Sequence, residues 1–280
     1  MTIKIITDST SDVPPAAAAE YGIEVVPCYI NFENDSYLDG VELSRQEFYE
    51  KLPTYPVLPK TSSPNGKAFE AAYQQAAARG ASHVISIHVS SAWSSVVDTA
   101  RLAAQTICSA QVMVVDSGTV TLGLGFLAMA AARAAAAGKS ANEIISMLKE
   151  RAQRTILFAG LDTADYLRRS GRASRLQASL STFLHIFPVL RVYQGMVDME
   201  RIRTHARVED RLVEMAQEWA PLEEMAIMHT NCLEKAESIR NRLRRLLPDG
   251  KIWIGEATPA IGTHVGPNGI GVVCVRAGQA

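Results

Sequence analysis

Strand-length apolar runs alternate with helix-length stretches through the first half of the chain, and this alternation constrains the fold more than any other feature. The runs at 3–7, 24–30, 83–89 and 111–115 read as strands. Helical stretches lie near 14–21, 44–52, 65–79, 94–108 and 119–137. Such an order predicts a mostly parallel sheet with helices on both faces. After Gly138 the pattern changes. A helix over 141–154 leads to a strand over 155–160, a charged helical turn (LDTADYLRRSGR) and an apolar helix over 176–185. A hairpin within 188–202 then turns at Gln194-Gly195. Helices over 208–219 and 232–247 and strands over 225–229, 251–256 and 271–276 complete the chain. The expected fold class is α/β in two domains: 1–154, a mostly parallel sheet flanked by helices, and 155–280, a mixed α/β unit.

Charge narrows the function classes. Lys plus Arg (28) nearly equals Asp plus Glu (29). A nucleic-acid binder usually carries a basic excess, so no nucleic-acid partner is expected. The opening MTIKIITDST lacks the apolar stretch of a signal peptide. The run over 122–137 is broken by Arg133 and is mostly alanine, so it reads as a packed helix and not a membrane span. Cys28, Cys108, Cys232 and Cys274 are far apart, form no CxxC pair and sit in apolar stretches. Buried free thiols in a reduced, cytoplasmic setting are expected.

Three loops combine hydroxyls with small residues: TSSPNG from Thr61, SSAWSS from Ser90 and GTHVGPNG from Gly262. Taken singly, each has a plainer reading. Ser and Thr before helices are usually caps, and Gly-Pro-Asn-Gly is usually a turn. Taken together, three loops of hydroxyl and imidazole chemistry without cations suit one carboxylate and not a polyphosphate. Two of them precede helices, where free N–H groups favour an anion.

Other chemistries find less support. GLGFLA formally matches GxGxxA, but it lies inside a helix, where close packing explains the glycines. There is no Walker motif and no GxSxG elbow. Histidines 83, 88, 185, 205, 229 and 264 lack metal-ligand spacing, so neither a metal nor a cofactor is expected. Asp8 and Asp12 in TDSTSD could bind a metal, but capping of the helix near Pro14 is the favoured reading.

Seven blocks in order, TDSTSDVP, KTSSPN, SSAWSS, VVDS, LDTADYLRRSGR, FPVLRVYQGMV and GTHVGPNGIGV, resemble the DegV family over nearly the whole chain. The resemblance implies a two-domain α/β architecture holding a long-chain fatty acid, such as palmitate, stearate or oleate, in a buried apolar tunnel. It implies a non-catalytic carrier, the lipid-carrying subunit of a fatty acid kinase, whose partner phosphorylates the carboxylate for phospholipid synthesis. Carried onto this sequence, Thr61, Ser91 and His264 would contact the carboxylate and Arg172 would dock the kinase. Ser62, Ser94 and Ser95 belong to the head-group loops. The sequence departs from the family pattern at Ser63, where the family has Gln, at Trp93-Ser94-Ser95-Val96 in place of LSGT, at Ser170 in place of Gly, and at Gly266-Pro267-Asn268 in place of GPG.

Energetics favour a carrier with a neutral site. About fifteen buried methylenes offer roughly 12 kcal/mol, against about 1.5–3 kcal/mol for one hydrogen bond to a carboxylate. The apolar helix 176–186 reads either as plain core, the default, or as tunnel wall. The alternative is an enzyme, either a hydrolase with Ser91 or Ser94 activated by His264, or a dihydroxyacetone-kinase-like protein with His264 touching a carbonyl.

Overall fold

The computed structural model describes residues 2–33, 35–175, 186–247 and 250–278. Strands of the first half are β1 (Ile3–Asp8), β2 (Glu24–Val26), β3 (Tyr29–Asn31), β4 (Ser36–Leu38), β5 (Lys60–Ser62), β6 (His83–His88) and β7 (Gln111–Asp116). β2, β1, β6 and β7 lie side by side in that order, all parallel. Ile5 with Ile6, and Val84 with Ile85, are consecutive pairs buried on opposite faces, as a parallel sheet covered on both sides requires.

One expected strand, 24–30, is two strands in different sheets. β2 ends at Val26, and Pro27 has no N–H to extend a ladder. β3 then pairs antiparallel with β4 and β5 in a small three-stranded sheet. Strands as short as β4 and β5 leave no periodicity to read.

The second half holds β8 (Thr155–Gly160), β9 (Phe187–Tyr193), β10 (Met196–Ile202), β11 (Leu222–His229), β12 (Ile252–Glu256) and β13 (Ile270–Arg276). They form one mixed sheet in the order β10-β9-β8-β13-β11-β12, parallel only between β11 and β12. The β9–β10 turn places Gln194 at φ 50° and Gly195 at φ 77°, the two left-handed positions a tight hairpin needs.

Period-two alternation gives this sheet two different faces. Ile156, Phe158, Val189, Ile227 and Val272 pack under helices His205–Trp219 and Leu233–Leu243. Leu157, Leu190, Val192, Met228 and Val273 point the other way, into an apolar core that continues through the N-terminal half. Helix Leu122–Ala136 lies within that core, in contact with β1 and β6 on one side and β8 and β13 on the other. Alanine and glycine let both sheets approach it. A Cβ on Gly125 would stand 2.6 Å from the Ser11 carbonyl oxygen.

Helix starts follow local chemistry. Ser44, Asn65 and Thr204 accept from backbone N–H groups of the first turn, and Ser140 with Glu143 forms a reciprocal capping box.

Several expectations are corrected. The C-terminal hydroxyl-rich stretch is not all loop, because Pro259–Val265 is helical. Neither Asp8 nor Asp12 caps helix Pro15–Glu20, whose N-cap Pro14 offers no side-chain acceptor. Cys28 and Cys274 are buried, but Cys108 is exposed beyond the end of its helix. The stretch 176–185 lies outside the described residues. Among the described residues, no helix is long and apolar enough to cross a membrane.

Candidate functional site

A cavity of about 440 Å³ lies where the six-stranded sheet meets the N-terminal half. The sheet supplies an apolar wall. Leu190, Ala159, Gly271 and Met228 are successive cross-strand neighbours, with Leu157 and Val192 paired in the next row. Residues of one row share a face, and most of these line the cavity. Ala159 and Gly271 keep the middle of the wall low, and a Cβ on Gly271 would already reach 3.2 Å from Leu157 Cδ1.

Three segments far apart in sequence supply the hydroxyl and imidazole groups singled out in the sequence, among a lining that also includes Thr10, Thr121, His229 and Thr230. Thr61 is carried by β5, and His264 by the last turn of helix Pro259–Val265. Thr61 Oγ1 and His264 Nε2 are 2.9 Å apart. Ser63 and Ser95 hydroxyls meet at 3.0 Å, joining the first two hydroxyl-rich loops. Ser62, Ser94 and Ser95 also line the cavity, and Trp93 stands beside them.

Burial, reinforced by the Arg172 charge, lowers the His264 pKa from 6.5 to about 3, so the imidazole is neutral at pH 7. Its Nδ1 is buried and, among the described residues, has no hydrogen-bond partner. A neutral imidazole carries one proton, so one ring nitrogen donates and the other accepts. Beyond the helix, Gly266 adopts φ 74° against the Tyr166 ring, where a Cβ would come within 2.3 Å.

Of the residues expected to act together, Thr61 and His264 are in contact, while Ser62, Ser94 and Ser95 share their cavity. Ser91 is not brought there. It is exposed, does not line the cavity, and its N–H donates to Asp116 Oδ2 at 3.2 Å. Arg172 follows helix Asp165–Arg169 and the left-handed Gly171, at φ 77°. It is half-buried, donates to the Ser170 carbonyl at 2.8 Å, and lines the cavity.

A Ser-His-Asp series does occur, but elsewhere. Ser86 Oγ lies 2.6 Å from His88 Nε2, and His88 Nδ1 lies 3.0 Å from Asp8 Oδ2. All three are fully buried, and Ser86 also accepts from Tyr73, so no substrate reaches the hydroxyl. Sequence reasoning missed Asp39 and misread Asp12. Both are buried beside the His264 helix, and burial raises the Asp12 pKa to about 6 despite Arg45. Only their spatial partners, more than 200 positions away, reveal this.

Comparison with known proteins agrees with the architecture. The family profile described as "uncharacterised protein, DegV family" matches residues 2–277. A DegV domain-containing protein of Deinococcus radiodurans is 36% identical, covering 97% of this chain and 98% of the relative. The crystal structure of DegV from Bacillus subtilis, described as a fatty acid binding protein, is 29% identical. It superposes with a TM-score of 0.90 over 98% of this chain and 99% of that one. A Thermus thermophilus DegV family structure, described by its fatty acid binding, is 28% identical with a TM-score of 0.89, covering 98% and 99%. A profile match over nearly the whole length and close superposition on a solved DegV structure lead to one conclusion: the chain belongs to the DegV family.

Proposed function

We propose that this protein is a carrier that holds one long-chain fatty acid in the cavity and presents its carboxylate to a partner fatty acid kinase. The observation that carries the reading is the neutral Thr61–His264 pair, set in the lining of an otherwise largely apolar cavity of about 440 Å³. That volume falls within the range of sites that enclose a small molecule, ~300–1,000 Å³. The tail supplies most of the affinity through burial, and the hydroxyls and imidazole orient the head group. Ser94 and Ser95 complete the head-group set. Ser91, outside the lining, is left out of it. The fatty acid binding described for the Bacillus and Thermus proteins supports the ligand class.

The kinase half of the proposal rests on the family resemblance, with Arg172 as the docking residue. Its guanidinium can pair with carboxylates of a partner in a way a lysine cannot. The hydrolase reading has less in its favour: His264 Nε2 faces Thr61, and among the described residues no acid holds Nδ1.

The test starts with delipidated protein, oleate and native mass spectrometry. One bound oleate per chain is expected, and its absence sinks the reading. Thr61→Val and His264→Ala are then expected to lower phosphate transfer from ATP by a DegV-type kinase more than they lower lipid loading. Arg172→Ala is expected to weaken kinase pull-down, more visibly at low salt.

A further inference from the structure

Thr61 and His264 are separated by 203 positions, and nothing within their own elements fixes the 2.9 Å between them. His264 rides on helix Pro259–Val265, whose N-cap residue Thr258 makes no side-chain cap. The first turn is held from the other half of the molecule instead. Asp12 accepts from the Thr258 N–H at 2.9 Å, and Asp39 accepts from the Ala260 N–H at 3.3 Å. Tyr49 donates its hydroxyl to the Ala257 carbonyl at 2.9 Å.

Asp39 is also tied to the small sheet that carries Thr61. Its second oxygen accepts from the Ser9 hydroxyl at 2.6 Å, and Ser9 Oγ accepts from the Cys28 N–H at 3.0 Å. The Asp39 N–H donates to the Cys28 carbonyl at 2.9 Å. Cys28 immediately precedes β3, and Ile30 of β3 is registered opposite Thr61 of β5. One carboxylate thus braces both members of the head-group pair. Asp12 is the second strut, itself fixed by Thr121 at 2.6 Å and Arg45 at 3.1 Å. Asp12, Asp39 and Ser9 are all buried, so water does not substitute for a bond that is removed.

We infer that Asp39, with Asp12, is a positioning residue for the head-group site: it sets the distance between Thr61 and His264, and through it the preference for a carboxylate over a neutral head group. The inference rests on the fatty-acid reading above. A tie that merely joined the two halves would change stability, or affinity for every ligand alike. A positioning role changes discrimination between ligands that share a tail.

The experiment compares oleate with oleyl alcohol on the full chain by calorimetry, for wild type, Asp39→Ala and Asp39→Asn. Asparagine keeps an acceptor for the Ala260 N–H and donates to Ser9, so it serves as the conservative rescue. Asp39→Ala is expected to lower the oleate-to-alcohol preference about tenfold, the worth of one hydrogen bond to a charged group, while alcohol affinity changes less than about threefold. Asp39→Asn is expected to keep the preference within about threefold of wild type. In parallel, the ¹⁵N resonance of His264 Nε2 is expected to move in Asp39→Ala and to stay near its wild-type position in Asp39→Asn.

Should Asp39→Ala not fold, Ser9→Ala removes the hydroxyl that links the carboxylate to Cys28 and is expected to lower the same preference about threefold, less than Asp39→Ala because the Ala260 N–H keeps its acceptor. A folded variant of either kind with unchanged preference, or an equal loss for both lipids, overturns the positioning role and leaves the carrier reading intact. A wild type that binds neither lipid overturns the carrier reading and this inference with it.

Discussion

His264 owes its chemistry to its surroundings. A solvated imidazole titrates near 6.5, but burial and the neighbouring Arg172 charge bring this one to about 3. In the unfolded chain it gains a proton as pH falls through 6.5, whereas the folded protein refuses that proton until about pH 3. Its contribution to stability is therefore complete above pH 6.5 and declines below it, by at most about 1.4 kcal/mol per pH unit. Asp12 works in the opposite direction. Burial raises it from 3.8 to about 6, so its ionisation disfavours the folded state progressively as pH rises across that interval. A comparison with His264→Gln isolates the histidine. Wild type is expected to lose stability relative to that variant in urea unfolding between pH 6.5 and 4, and parallel curves would refute the assignment. In ligand-free protein, the His264 ring resonance is expected not to titrate between pH 5 and 8.

Among the elements, helix Leu122–Ala136 is the one on which both sheets depend. Its composition was legible as that of a packed helix, and its glycines as points of close approach. The sequence did not say what approaches. At Gly125 it is the backbone of the Ser9–Ser11 turn, with Leu122 Cδ1 at 2.7 Å from the position of an added Cβ. Alanine is the better helix former by ~1 kcal/mol, yet a carbonyl oxygen cannot swing aside as a side chain would. Gly125→Ala is therefore expected to destabilise by about 1–3 kcal/mol net, within the usual range for an overpacked core. A rise in the urea midpoint instead would show that the turn moves freely. Helix Pro259–Val265 illustrates the converse. At seven residues it is short, lacks a side-chain cap of its own, and was read as part of a loop, because the carboxylates that hold it come from the other half of the chain.

For the molecule as a whole, the cavity belongs to neither half alone. Ligand binding should therefore stabilise the entire fold and not one sheet. Free oleate at about a hundred times its dissociation constant is expected to add about 2.7 kcal/mol to the unfolding free energy. Ala159 sits in the middle of the sheet wall, between Leu190 and Gly271. Ala159→Phe is expected to fill part of the cavity and shift the preference toward shorter acids, such as laurate over oleate, as read by thermal shift. Equal stabilisation by oleate in wild type and variant would place the tail elsewhere.

The sequence by itself determined the α/β class, most of the longer elements, the tight hairpin at Gln194-Gly195 and the hydroxyl-rich segments that carry Thr61, Ser94, Ser95 and His264, though not that Thr61 sits on a strand and His264 on a helix. These follow from periodicity, local turn chemistry and side-chain type, all of which act over a few residues. Only the tertiary structure decided that Pro27 divides one apolar run between two sheets, and that Thr61 meets His264 while Ser91 stays outside the cavity. It also decided that Arg172 lines that cavity, and that Asp12 and Asp39 hold the His264 helix and no helix near Pro14. Pro27 acts through the N–H it lacks, while for the polar contacts one physical reason is common. A buried polar group takes whichever partner the packing of distant segments brings within about 3 Å, and no local pattern encodes that distance.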